Sequence, residues 1–140
     1  RRFFPAAEKP LPAAALRALA EETQKTVGDV ITPGGGKFAG CGGAFSVARA
    51  IFAARARKGF AEISPLLAVA DLHALRDELA ALPLVERTRI PGLPENRADI
   101  LPAALTVLLA VAEAGQANGF VHSRRNLRYG LAADLLWGSP

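Results

Sequence analysis

A chain of 140 residues with a formal net charge of +4, 51% hydrophobic and 21% charged, has the size and apolar content of one globular domain and is too apolar for intrinsic disorder. Its single cysteine excludes a disulfide framework and any Cys-rich zinc site, and a lone thiol suits a reducing cytoplasm, the expected location. The charge is uneven: residues 1–70 carry 10 Lys/Arg against 5 Asp/Glu, whereas residues 71–140 carry 7 against 8, a balance that favours anionic partners.

The chain has no methionine and opens Arg1-Arg2-Phe3-Phe4-Pro5, so it is expected to be processed or cut from something longer. Residues 5–12 read as a linker. An Ala/Leu-rich helix follows to about Thr26, with Pro12 tolerated in its first turn and Leu11, Ala15, Leu16 and Leu19 as its apolar stripe. Thr32-Pro33-Gly34-Gly35-Gly36 is a loop, and Lys37-Phe38-Ala39-Gly40 is a short strand running into Gly40-Cys41-Gly42-Gly43. Residues 44–57 return to a helical pattern, with Gly59 as the C-terminal stop. Ser64 is a suitable N-cap for an amphipathic helix over 66–82, whose Leu72, Leu75, Leu79 and Leu82 recur at spacings of three and four before Pro83 ends it.

Residues 85–89 make a further helical turn, and Ile90-Pro91-Gly92-Leu93-Pro94 is a turn-rich loop. The longest apolar run, 100–112, carries Pro102 and Thr106. It falls short of the roughly 20 residues a membrane span needs, so it predicts a buried helix over 100–115, capped by Asp99. Residues 119–123 read as a strand and 127–137 as a final helix. Strands followed by helices, twice over, predict an α/β layer structure with a small sheet and several packed helices.

The Gly40-Cys41-Gly42-Gly43 turn sits between a strand and a helix. Such a turn exposes backbone N–H groups at a helix N-terminus, where the dipole favours an anion, so it is either a phosphate-binding turn or a ligand-free tight turn. It matches neither Walker A nor the Rossmann spacing: Gly36-Lys37 is followed by Phe38, and position 31 is Ile. A cysteine phosphatase would need Arg six residues after Cys41; position 47 is Val and the nearest arginine is Arg49, so Cys41 is expected to be a small buried turn residue. His73 and His122 cannot form a zinc site with one cysteine at these separations and read as structural or solvated. Arg49, Arg55 and Arg57 point in three directions around a helix, and one Trp and one Tyr give few stacking platforms, which argues against nucleic acid. Arg124, Arg125 and Arg128 form a second basic cluster, which suits phosphate or a solvated turn.

Four segments, in order, resemble the exopolyphosphatase/guanosine pentaphosphate phosphatase (Ppx/GppA) family. Arg2-Phe3-Phe4-Pro5 resembles the exit from the family's first domain. Gly40-Cys41-Gly42-Gly43-Ala44 resembles its Gly-Thr-Gly-Gly-Thr loop. Glu86-Arg87, Pro91-Gly92-Leu93 and Arg97-Ala98-Asp99-Ile100 resemble the run before its apolar helix, and 123–130 resembles its Ser-Asp-x-Gly-Leu-Arg-x-Gly close. The resemblance implies a ribonuclease-H-like (actin-like) α/β domain, the second of two that close on a cleft. The implied enzyme removes terminal phosphate from inorganic polyphosphate or guanosine pentaphosphate with magnesium. The resemblance also implies that the base, a Glu, and the magnesium ligands belong to the first domain, so no catalytic or metal-binding residue is expected in this chain and the chain alone is expected to be inactive.

On the same resemblance Gly40, Gly42 and Gly43 face the cleft and bind phosphate oxygens. Arg97 and Arg128 match family arginines, and Arg97 either meets the anionic substrate or pairs with Asp99. The expected partners are that substrate and the chain's own N-terminal domain, with a homodimer as a further candidate and no membrane. The competing readings are a polyanion-binding module and a dimerising domain without catalysis. The sequence departs from the family where threonines become Cys41 and Ala44, removing two hydroxyls, where Arg124 replaces an Asp, and where Asn126 replaces a glycine.

Overall fold

The computed structural model describes residues 8–138. Helices α1 (Ala13–Val27), α2 (Gly43–Ala56), α3 (Val69–Ala81), α4 (Leu84–Arg87), α5 (Leu101–Ala114) and α6 (Leu127–Trp137) surround strands β1 (Lys37–Gly40), β2 (Leu66–Ala68) and β3 (Gly119–His122). The sheet order is β1-β3-β2: β3 runs parallel to β1, with Gly40 opposite His122, and antiparallel to β2, with Leu67 opposite Phe120. This is the small-sheet α/β arrangement expected, with one strand more than the pattern reveals. The Arg2-Phe3-Phe4-Pro5 segment lies outside the described residues.

The core is built around α5. Leu101, Leu105 and Leu109 on α5, Leu72, Leu75 and Leu79 on α3, Ile51 and Ala48 on α2 and Phe120 on β3 are all at most 3% exposed and form one cluster. α5 also packs against α1, where Gln24 Nε2 donates to Glu113 Oε2 at 2.7 Å. Full burial of such Leu and Ile side chains contributes roughly 1.5–3 kcal/mol each, which makes this cluster the main source of cohesion.

The structure departs from four local expectations. The helix expected over 66–82 is a strand followed by a helix. Leu66–Ala68 pairs with β3, the helix starts at Val69, and Leu82 lies beyond its end in extended backbone. Ser64 is not its cap: its Oγ accepts the Leu66 N–H at 3.1 Å and turns the chain into β2. Asp99 does not cap α5, whose N-cap position is Ile100 with no side-chain cap, while Pro102 fills the first turn. Gly59 does not close α2. Arg57 takes the left-handed conformation (φ 53°), with the Arg57 N–H bonded to Ala54 O and the Lys58 N–H to Ala53 O, a Schellman closure.

Candidate functional site

β1 delivers the chain to the site. Its alternation continues past the strand: Lys37, Ala39 and Cys41 are exposed, while Gly40 is buried. Cys41 is therefore an exposed free thiol, not the small buried residue expected. Gly42 follows at φ 109° and ψ −177°, a conformation that L side chains rarely adopt, and serves as the N-cap of α2. No side chain caps this helix, so its first-turn N–H groups face outward at the positive end of the dipole.

Two cavities flank that N-terminus and share Gly43. One, about 250 Å³, is lined by Gly42, Gly43, Ser46, Phe60, His122, Ser123, Arg124 and Asn126. The other, about 100 Å³, is lined by Gly43, Ala44, Val47, Arg97, Ile100, Leu101 and Ala104. A cation thus stands on each side of the glycine turn, Arg124 on one and Arg97 on the other, and among the described residues no carboxylate lines either cavity.

The five residues expected to bind substrate are distributed as follows. Gly42 and Gly43 lie together in the larger cavity, and Arg97 joins Gly43 in the smaller one. Arg97 makes no ion pair with Asp99 among the described residues; the Asp99 charge acts instead on Arg87. Gly40 lies beneath the turn, and a Cβ there would meet the Phe45 ring at 2.5 Å, so its place in the fold is a packing one. Arg128 is exposed on α6 and lines neither cavity; its backbone N–H donates to Asn126 Oδ1 at 3.0 Å, which caps that helix.

Sequence reasoning missed the residues behind the turn. Arg49 is not part of a surface cluster: it is 4% exposed. Its Nη2 donates to Phe60 O at 3.1 Å and Ile63 O at 2.7 Å, and its guanidinium sits 4.4 Å from the Phe60 ring centroid. His122 is buried, stacked on Phe45 and edge-on to Phe60. Its pKa is lowered by burial, then by the charges of Arg49 and Arg124, so the ring is held neutral. The available signal was a lone cation in the apolar stretch 44–54, three residues after Ser46 and four after Phe45, hence on their side of the helix. His73, by contrast, is exposed on α3.

Among the described residues no three His, Cys, Asp or Glu side chains come together to hold a metal, and no helix is long and apolar enough to cross a membrane. No protein-family model matches the chain, and no curated protein matches it. Solved structures do. A Ppx/GppA family member from Aquifex aeolicus superimposes with a TM-score of 0.81 at 17% identity, over 96% of this chain and 45% of that one. The type II variant of the Aquifex aeolicus Ppx/GppA phosphatase gives 0.81 at 16% identity, over 96% and 46%. An exopolyphosphatase from Cytophaga hutchinsonii gives 0.73 at 21%, over 94% and 45%. The chain therefore spans less than half the length of these proteins and has, along almost its whole length, the fold of one part of a Ppx/GppA structure, in keeping with the actin-like class that the resemblance implies.

Proposed function

We propose that this chain is the second, C-terminal domain of a Ppx/GppA-type phosphohydrolase, an enzyme that removes terminal phosphate from inorganic polyphosphate or guanosine pentaphosphate, and that it forms one wall of the cleft between two domains. The observation that carries this reading is the superposition of 96% of the chain on 45% of a Ppx/GppA protein at a TM-score of 0.81.

The chemistry of the wall agrees with it. Phosphoryl transfer needs little covalent help from the protein; it needs positioning and compensation of the charge on the phosphoryl oxygens. The α2 N-terminus supplies outward N–H groups, and Arg97 and Arg124 flank it. The proposal takes no base for the attacking water from this side. Among the described residues no carboxylate lines either cavity, and both ring nitrogens of His122 are engaged, Nδ1 by Arg49 and Nε2 by Ser46. The proposal places the base and the magnesium ligands in the companion domain.

Phosphate release from polyphosphate and from guanosine pentaphosphate, with magnesium present, tests the proposal. The 140-residue chain alone is expected to release none, and the chain joined to its N-terminal domain is expected to turn over at least one of the two substrates. Turnover by the chain alone, or none by the two-domain protein, overturns the reading. A second reading, a dimerising module without catalysis, is favoured by one observation: α6 leaves Tyr129, Leu131, Leu135 and Leu136 exposed, Leu135 at 78%. A sedimentation profile that shifts with protein concentration would support it, and the companion domain is the competing cover for these side chains.

A further inference from the structure

Behind the glycine turn runs a chain of polar contacts that joins segments far apart in sequence. Arg49 Nη1 lies 3.3 Å from His122 Nδ1, and His122 Nε2 lies 3.3 Å from Ser46 Oγ. Ser46 Oγ in turn donates to Gly42 O at 3.2 Å, an oxygen that also accepts the Ser46 backbone N–H at 3.2 Å. A guanidinium can only donate, so Nδ1 must present its lone pair and the neutral ring must carry its hydrogen on Nε2. The Nε2–H then donates to Ser46 Oγ, which leaves the Ser46 hydroxyl hydrogen for Gly42 O. Every proton in the chain has one direction, and Arg49 sets it.

Arg49 is well anchored for this task. Two backbone carbonyls and the Phe60 ring hold its guanidinium, and Phe45 and Phe60 fix the plane of the His122 ring. It is also an expensive choice for stability alone, since its buried Nε finds no hydrogen-bond partner among the described residues. We propose that Arg49 is a positioning residue for the glycine turn: by occupying Nδ1 it fixes His122 as the Nε2–H tautomer, and His122 and Ser46 carry that constraint to the Gly42 carbonyl at the mouth of the anion-facing cavity. The tautomer lock stands on the geometry alone; its consequence for ligand binding rests on the function proposed above.

The test is long-range ¹H–¹⁵N correlation NMR of the histidine rings in the 140-residue chain, with His73→Gln to assign His122. At about pH 7.5 the expected spectrum shows protonated Nε2 and unprotonated Nδ1 for His122. Arg49→Met is expected to give a mixture of tautomers, and Arg49→Lys to restore part of the bias because it keeps a donor. Ser46→Ala is expected to keep the tautomer but to move the Gly42 and Gly43 amide signals, so the proposal stays testable if Arg49→Met does not fold. A His122 protonated on Nδ1 in the unaltered chain, an Arg49→Met ring unchanged from it, or Gly42 and Gly43 signals indifferent to Ser46→Ala would overturn the relay. The ligand arm uses inorganic tripolyphosphate at low salt, read at the same two amides. Saturable shifts are expected, weakened about three- to tenfold by Ser46→Ala. If the tautomer result holds but tripolyphosphate moves neither amide, the relay stands and the polyphosphate-facing reading of this turn fails.

Discussion

Arg87 is completely buried, and its guanidinium ties three segments together: Nε donates to Leu82 O at 3.0 Å, Nη1 to Ala98 O at 3.1 Å and Nη2 to Lys9 O at 3.0 Å. Burial lowers its pKa and the Asp99 charge partly offsets that cost. Gly92, at φ 86°, brings its loop against α2 so closely that a Cβ would meet Ala50 O at 2.5 Å, and Leu93 and Ala98 are buried. Most of the run that resembles the family before its apolar helix is therefore a clamp on the core, with Arg97 left facing a cavity. Replacing Arg87 with Met leaves three carbonyls without this donor and is expected to cost about 3 kcal/mol or more in urea unfolding, because each stranded buried acceptor costs ~1–3 kcal/mol. Arg87→Lys is not expected to rescue it, since one ammonium cannot reproduce the planar fork that spans three segments.

Elements show where local pattern suffices. α1, α2, α5, β1 and β3 were all legible as elements, because each carries its own periodicity or punctuation within a few residues. β2 was not. Three residues cannot establish a period of two, and Leu66–Ala68 becomes a strand only because β3 offers a free edge beside it. The end of α2 escapes local pattern for a different reason: Gly59 looks like the left-handed stop, but the chain turns at Arg57. A side chain in that conformation costs about 1 kcal/mol or more relative to glycine, so Arg57→Gly is expected to raise stability by about 0.5–1 kcal/mol, read as a higher urea midpoint with unchanged slope.

At the scale of the whole molecule, overall stability should register the buried ring behind the glycine turn. The pKa of His122 is lowered from its ordinary 6.5 by burial and by two arginines, Arg49 on α2 and Arg124 after β3. The unfolded chain therefore binds this proton first. Its contribution to stability is full above about pH 6.5 and is lost as pH falls through that value toward the folded pKa; His73, its pKa also lowered by partial burial, adds a slope of the same sign. Urea midpoints taken from about pH 7.5 to about pH 5.5 are expected to fall, and His122→Gln to flatten that slope; a slope unchanged by the substitution would contradict the assignment.

The sequence by itself determined the α/β class, most of the helices, the two longer strands and a resemblance to one family, because hydrophobic period, turn residues and the order of short motifs are properties of neighbouring positions. Tertiary structure decided which of the marked residues share a site. It set Gly42 and Gly43 between Arg97 and Arg124, left Arg128 outside both cavities and exposed Cys41. It also buried Arg49 and joined it to His122, 73 positions away, and His122 to Ser46, 76 positions away. A cation reads the same in sequence whether solvent or a histidine lone pair meets it; only the packing of α2 against β3 makes Arg49 the group that directs the protons of the turn.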